Sequence, residues 1–208
     1  AYEQLEDWPN AAAFYNWAHE LSSGDVALKN KAAFMNDKAA EHELKLLEEA
    51  VEANPDDEEA KARLEEVRTS RVSEQVEERQ KSVDQNPTDP QLLFDLGLAL
   101  YHAGEFSDAI PHLQQATRNP HIRTRVLLLL GRTFDAKGMH DLAVKQLTDA
   151  NAELHGMDSV KKEILYELGL IHSKVGADTE ALECFKQIYE VDYGYRDVAA
   201  RVEGSYTG

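Results

Sequence analysis

The sequence predicts an all-α protein, a solenoid of stacked antiparallel helix hairpins, and three observations predict it. First, one pattern occurs three times between Pro90 and Tyr193. A Leu-Gly pair (Leu96-Gly97, Leu130-Gly131, Leu168-Gly169) is followed by a second glycine (Gly104, Gly138, Gly176) and then by an alanine (Ala109, Ala143, Ala181). A large apolar residue comes four positions later (Leu113, Leu147, Phe185), and Ala116, Ala150 or Ile188 three beyond that. Second, the glycines are 34 and then 38 residues apart, a period that marks stacked repeats. Third, only six prolines and eleven glycines interrupt 208 residues, and long stretches alternate Leu, Ala, Glu and Lys, a composition that favours helix throughout.

Residues 1–55 form an N-terminal helical segment. Pro9 suits a first helical turn and Gly24 a helix end. Phe14, Trp17 and Leu21 lie at i, i+3 and i+7 on one face of a short helix. With Tyr2, Trp8, Tyr15 and Phe34 they are expected to pack as core; an exposed aromatic docking patch is the alternative. Asp25 is placed to cap a second helix carrying Leu28, Ala32 and Met35, and Asp37 a third carrying Ala40, Leu44, Leu47 and Val51. Ala40, Leu44 and Leu47 reproduce the second-helix spacing of the repeats, so the segment reads as a degenerate repeat.

Asn54-Pro55-Asp56-Asp57 stops that helix and caps the next. Residues 56–88 read as a long polar helical connector. Its apolar residues are few, chiefly Ala60, Leu64, Val67, Val72, Val76 and Val83, and Gln75, Arg79 and Ser82 stand where a good repeat has Ala, Phe and Ala. Residues 89–194 hold the three repeats (90–123, 124–157 and 162–195). Asp89 and Pro90 open the first as N-cap and first helical residue. Helix pairs are expected at 90–103 with 106–118, 122–137 with 140–153, and 159–175 with 178–190. Four extra residues around 154–159 account for the longer spacing and should lengthen a helix or the loop there. Tyr195, Val198, Val202 and Tyr206 form a last stripe, so 195–208 reads as a capping helix and tail.

Within each unit the first glycine lies inside a helix, where it costs roughly 1 kcal/mol relative to alanine. Its recurrence calls for a packing reason, namely a close crossing by the second helix with Ala109, Ala143 and Ala181 as small partners. Gly104, Gly138 and Gly176 are expected to end the first helices in the left-handed conformation. Leu93-Leu96-Gly97-Leu100 with Ala109-Leu113-Ala116, Leu127-Leu130-Gly131-Phe134 with Ala143-Leu147-Ala150, and Leu165-Leu168-Gly169-His172 with Ala181-Phe185-Ile188 together resemble the tetratricopeptide repeat family. The closing proline of that signature is displaced to Pro120 in the first unit and replaced by His155 and Tyr193 in the others. The tail from Leu182 to Arg201 resembles the ending of many uncharacterised bacterial members. The resemblance implies a right-handed superhelix whose first helices line a concave, peptide-binding face. Carried over residue by residue, that groove comprises Gln91, Phe94, Leu98, Tyr101 and His102, then Arg125, Leu128, Arg132, Asp135 and Ala136, then Glu163, Tyr166, Leu170, Ser173 and Lys174. The Lys/Asn clamp that chaperone-binding members use for a C-terminal carboxylate is absent.

The chemistry of an enzyme is not found. His42-Glu43 and His19-Glu20 open a zinc-protease pattern, but Leu46 and Ser23 stand where the second histidine is required. There is no glycine-rich phosphate loop, no serine elbow and no cysteine pair, so no catalytic residue, metal site or cofactor is expected. His172 reads as a core or boundary side chain. The net charge of −17 argues against nucleic acid and anionic membranes. No apolar run approaches a membrane span; Val126 to Leu130 is a buried helix face. The single cysteine, Cys184, suits a reducing compartment and slightly favours the cytoplasm. The start at Ala1, not Met, is compatible with a fragment of a longer protein. The expected function is a non-catalytic scaffold for a protein or peptide. Arg118, Arg123, Arg125, Arg132 and Lys137, with Asp135 the one acid among them, mark a local basic spot for an acidic ligand with apolar anchors. Ordinary solvated charge is the plainer alternative for that run. A self-associating structural module and a regulatory domain of a larger protein are the competing functions.

Overall fold

In the computed structural model, which describes residues 2–22 and 25–207, every regular element is helical. Contacts divide the chain into two units, Ala1–Arg71 and Val72–Gly208. The expected helix end at Gly24 lies outside the described residues.

In the first unit a short 3-10 turn, Tyr2–Leu5, precedes α1 (Trp8–Leu21). Asp7 caps α1 by accepting from the Asn10 N–H, and Pro9 sits in the first turn. Asp25 caps α2 by accepting from the N–H groups of Ala27 and Leu28. The two helices expected after Asp25 and Asp37 are one, α2 (Val26–Ala53), of 28 residues. Asp37 is an exposed residue inside it and caps nothing. No glycine or proline lies between Asp25 and Asn54, and the apolar spacing continues through Asp37, so the local cap signal loses to an unbroken helical period.

The N-terminal aromatics are divided by this packing. Ala11, Ala12 and Met35 form a small core, with Trp8, Tyr15 and Ala39 against it. Phe14, Trp17, Leu21 and Phe34 are exposed, which corrects the expectation that they form the core. Phe14, Trp17 and Leu21 do share a helix face, but α1 meets α2 through its alanine side, where small side chains let the helix axes approach. In α3 (Glu58–Gln85) Asp57 accepts from the Ala60 N–H at the start. Leu64 is buried, and Arg63 and Arg68 reach Glu43 and Glu48 of α2 at 3.1 and 2.8 Å.

The second unit contains the later part of α3 and three hairpins: α4 (Pro90–His102) with α5 (Phe106–Ala116), α6 (Arg123–Ala136) with α7 (His140–Glu153), and α8 (Ser159–Lys174) with α9 (Asp178–Tyr189). Asp89 caps α4 with two N–H bonds. One core runs from Val83 through the hairpins to Val198 and Val202 of α10 (Val198–Thr207), which packs on α9. Its innermost residues include Leu96, Leu113, Leu130, Leu147, Leu165 and Ile188. The run Val126–Leu130 is wholly buried because α6 is covered by hairpins on both sides.

The recurring glycines have the packing role expected, with a different partner. A Cβ at Gly97 would lie 2.5 Å from Leu113 Cδ2, at Gly131 2.5 Å from Leu147 Cγ, and at Gly169 2.6 Å from Phe185 Cε1. The large residue of the second helix therefore fills the glycine notch. The alanines are buried beside the crossing and do not define it. Gly104, Gly138 and Gly176 end the first helices at φ of 76°, 72° and 77°, where a side chain would be strained. The four extra residues of the third spacing went into helix. α7 has 14 residues against 11 in α5, and α8 has 16 against 14 in α6, while the connection between α7 and α8 is no longer than that between α5 and α6.

Candidate functional site

Leu113, Leu147 and Phe185 approach the first helices at the notch glycine, and each first helix carries a second stripe about a quarter turn round from it. Measured from the notch glycine, the groove positions predicted from sequence fall in the same register on α4, α6 and α8. Phe94, Leu128 and Tyr166 lie three residues before it, and Leu98, Arg132 and Leu170 one after it. The structure joins these stripes by side-chain contacts between neighbouring first helices. The Arg125 guanidinium of α6 lies over the Phe94 ring of α4, 5.3 Å from its centroid. Arg132 of α6 donates to Glu163 and Glu167 of α8 at 2.6 and 2.8 Å. Asp135 accepts from Lys174 of α8 and pairs with the His140 ring at 2.9 Å. At the next step the Arg196 guanidinium lies over the Tyr166 ring at 4.5 Å, and the Tyr166 hydroxyl donates to Asp197 at 2.7 Å.

These contacts separate the predicted residues by what they have left to offer. Phe94, Leu128 and Tyr166 are buried and present little surface as anchors; Arg125 and Arg196 cover the two rings. Leu98, Tyr101 and Leu170 are half-buried. Arg132 is held by two carboxylates. Burial works against its charge, but the bonds to Glu163 and Glu167 outweigh that and hold its proton more firmly than in free arginine. Arg132 is therefore a strut between α6 and α8, which corrects its assignment to an open basic spot. Arg123 is likewise committed to Glu153, and Lys137 to the Ser107 hydroxyl. Among the described residues Arg118 and Arg125 of that run make no ion pair. Gln91 is exposed and donates to Asp95 at 2.8 Å, and His102 is exposed beside the Tyr101 ring. Ala136 and Ser173 are exposed.

Sequence reasoning missed Asp95, Glu167, Arg196 and Asp197. It also missed a hollow of about 300 Å³ lined by Gln75, Arg79, Asp95, Leu98, Ala99 and His102. The signal for the hollow was present: Gln75 and Arg79 replace the Ala and Phe of a full repeat, so the space beside Leu98 is not filled with hydrocarbon. Asp197 accepts from Arg201 and from Tyr166, and these bonds hold its carboxyl below the usual range. Burial and the Asp197 bond push the Tyr166 phenol up. Cys184 is buried, and burial, aided by Glu183, pushes its thiol up to about 11, far from a reactive thiolate. Among the described residues no cluster of three or more His, Cys, Asp and Glu is placed to hold a metal ion, and no helix is long and apolar enough to cross a membrane.

Family models described as tetratricopeptide repeat match residues 80–121, 94–152 and 162–195, together about half of the chain. The chain belongs to the tetratricopeptide repeat family. One curated relative, the TPR repeat-containing protein YpiA of Bacillus subtilis strain 168, is 25% identical over 116 residues. That match takes in 56% of this chain and only 26% of YpiA. Solved structures share the fold at lower identity. YrrB, described as a TPR protein with an unusual peptide-binding site, is 18% identical with a TM-score of 0.57, covering 95% of this chain and all of YrrB. The thermophilic TPR protein TTC0263 of Thermus thermophilus is 20% identical with a TM-score of 0.53, covering 97% of this chain and all of that one. MamA is 20% identical with a TM-score of 0.53, covering 88% of this chain and 98% of MamA.

Proposed function

We propose that this tetratricopeptide repeat protein is a non-catalytic scaffold that holds an extended or helical segment of a partner protein across the stripes of α4, α6 and α8. One observation carries the reading. On a chain of net charge −17, Arg125 faces outward from this surface with no carboxylate of its own, stacked on Phe94. Its fork stays free to take a carboxylate bidentately. Leu98, one turn beyond Phe94, and Tyr101 and Leu170 supply half-exposed apolar surface in the same register. The fitting segment has an Asp, a Glu or a C-terminal carboxylate close to one or two large apolar side chains. The apolar contacts give most of the affinity, and the arginine gives selectivity and on-rate, because an exposed ion pair is individually weak. That YrrB is described as having a peptide-binding site supports the class of ligand and not its identity.

The test is selection of a displayed random peptide library on the whole protein, followed by titration of the winners against Arg125→Glu and against Leu98→Glu with Leu170→Glu. We expect motifs that pair an acid with a large apolar residue. Arg125→Glu should remove most of the salt dependence of their binding, and the double variant should weaken them at every salt concentration. Winners that bind all three proteins equally would place the binding surface elsewhere.

A further inference from the structure

Among the described residues the outer face of α1 is left largely open. Phe14 is 48% exposed, Trp17 56% and Leu21 65%, with Tyr2 at 44% and Phe34 of α2 at 51%. The aromatic side chains form one connected surface, and Leu21 continues the α1 stripe one turn beyond Trp17. The Phe14 ring touches those of Tyr15 and Trp17 at 5.5 and 6.1 Å, Tyr2 and Phe14 line one cavity, and Lys31 lies over both Tyr15 and Phe34. Lys31 is itself held by Glu3 at 2.8 Å, so the cation within the patch is already neutralised. The pairing is built in: Tyr15 donates to the same Glu3, and the bonds from Lys31 and Tyr15 hold that carboxyl below its usual range. α1 has a single charged residue, Glu20, among 14, in a chain where charged residues make up 29%. A solvent-exposed helix that follows the composition of the rest of this chain would carry about four, as expected of a surface face.

We propose that this face is where two copies of the chain associate, by α1 packing against α1. Three features select a second copy as the occupant. The patch itself is nearly uncharged, with Lys31 paired to Glu3 and Glu20 on its flank, so two chains of −17 meet here with little like charge brought together. The spacing of Phe14, Trp17 and Leu21 is self-complementary: in a two-fold antiparallel crossing centred beside Trp17, Phe14 of each copy falls on Leu21 of the other, and the two Trp17 rings meet near the axis. The area is also sufficient. A fully buried aromatic side chain hides roughly 150–250 Å². Four half-exposed aromatics and Leu21 thus leave roughly 500 Å² per copy, and two copies hide about 1,000 Å², the size at which specific interfaces begin. An interface of that size belongs with weak, transient associations, so a dimer that dissociates on dilution is expected. The surface lies wholly in the first unit and is independent of the proposed ligand stripe on α4, α6 and α8.

The experiment is sedimentation equilibrium on the full chain from about 1 to about 200 μM, a range that brackets a micromolar dissociation constant. The expected result is a mass that rises with concentration from the 23.4 kDa of one chain towards twice that value. Trp17→Glu and Leu21→Glu should each weaken association at least about tenfold, as for the centre of an interface. Tyr206→Glu, which changes the 74% exposed ring of α10, should leave it unchanged, and so should Arg125→Glu on the ligand stripe. Circular dichroism reports whether each variant keeps its helices. Leu21 is the most exposed of the three α1 residues, so Leu21→Glu decides the matter if Trp17→Glu perturbs α1. A one-chain mass across the whole range overturns the proposal and leaves the face for a different protein. An association that persists in Leu21→Glu, or one that is lost in Tyr206→Glu, overturns it as well.

Discussion

Replacing Gly131 with alanine should destabilise the protein even though it inserts a better helix former into the middle of α6. On propensity alone the change should stabilise by about 1 kcal/mol. The new Cβ would stand 2.5 Å from Leu147 Cγ and 2.7 Å from its Cδ2, where ordinary contact begins at 3.4 Å. Leu147 cannot yield cheaply. The atom struck first is its branch point and not a free end, and the residue is fully buried between α6 and α8. Overpacking of this kind costs about 1–3 kcal/mol, and a collision with a buried branch carbon belongs at the upper end. The net expectation is a loss of about 2 kcal/mol. Leu147→Ala alone should cost about 2–5 kcal/mol by leaving a cavity. In the Leu147→Ala background the obstacle is gone, so Gly131→Ala should then stabilise by about 1 kcal/mol, its helix propensity alone. The sign of one substitution thus reverses with its partner, a coupling of about 3 kcal/mol. Urea melts of the four proteins in the cycle, followed by circular dichroism, measure it. If Gly131→Ala matches or exceeds the parent in stability, or if its effect is the same with and without Leu147, the glycine notch is not what sets the hairpin crossing.

Two further expectations concern charged groups. Arg132→Ala leaves Glu163 and Glu167 without their shared partner and should cost about 1–2 kcal/mol in the same melts, whereas Arg125→Ala, which removes only a stacked and exposed guanidinium, should stay within about 0.5 kcal/mol; equal effects would mean that Arg132 is no strut. Asp197 has a carboxyl held below its free value of 3.8, so its bonds stabilise the fold fully above that value and are lost as pH falls through the lowered one. Asp197→Asn should therefore lower the melting temperature at neutral pH and flatten the decline of stability below about pH 4, and a melting profile with an unchanged acid limb would contradict this.

What could be read from the sequence, and what could not, follows from the range of each constraint. The notch at Gly97, Gly131 and Gly169 and the turn at Gly104, Gly138 and Gly176 are steric demands that one residue type meets, so they recur and fix the register of three hairpins. A period of 3.6 shows that Phe14, Trp17 and Leu21 share a face. It does not tell which way the face points, and the side that α1 buries is made of alanines, whose small size carries little hydrophobic signal. Asp37 has the residue type of a cap but not the interruption that a cap needs. The residues of the proposed ligand stripe share one register on α4, α6 and α8, which the sequence shows through their spacing from the notch glycines. Its availability was not legible, because it depends on partners such as Glu163 and Glu167 that lie 31 and 35 residues beyond Arg132. One trace of that pairing was present: the two glutamates are one turn apart on α8, a spacing that offers two carboxylates to a single cation.

The neighbour-only wiring of the second unit bears on how quickly it folds. Among the described residues its helices pack against the helix beside them or the next but one, and its longest side-chain hydrogen bond, from Lys174 to Asp135, spans 39 residues. No step requires distant ends of the chain to find each other, and the entropy of closing a loop grows only with the logarithm of its length. A topology this local should put folding in the microsecond to millisecond range of helical domains. A newly synthesised hairpin can also form as soon as its own 34 or so residues are free, with its neighbour as template. By the same logic, a lesion such as a filled notch in α6 should slow or unravel the hairpins next to it while leaving more distant ones to form on schedule.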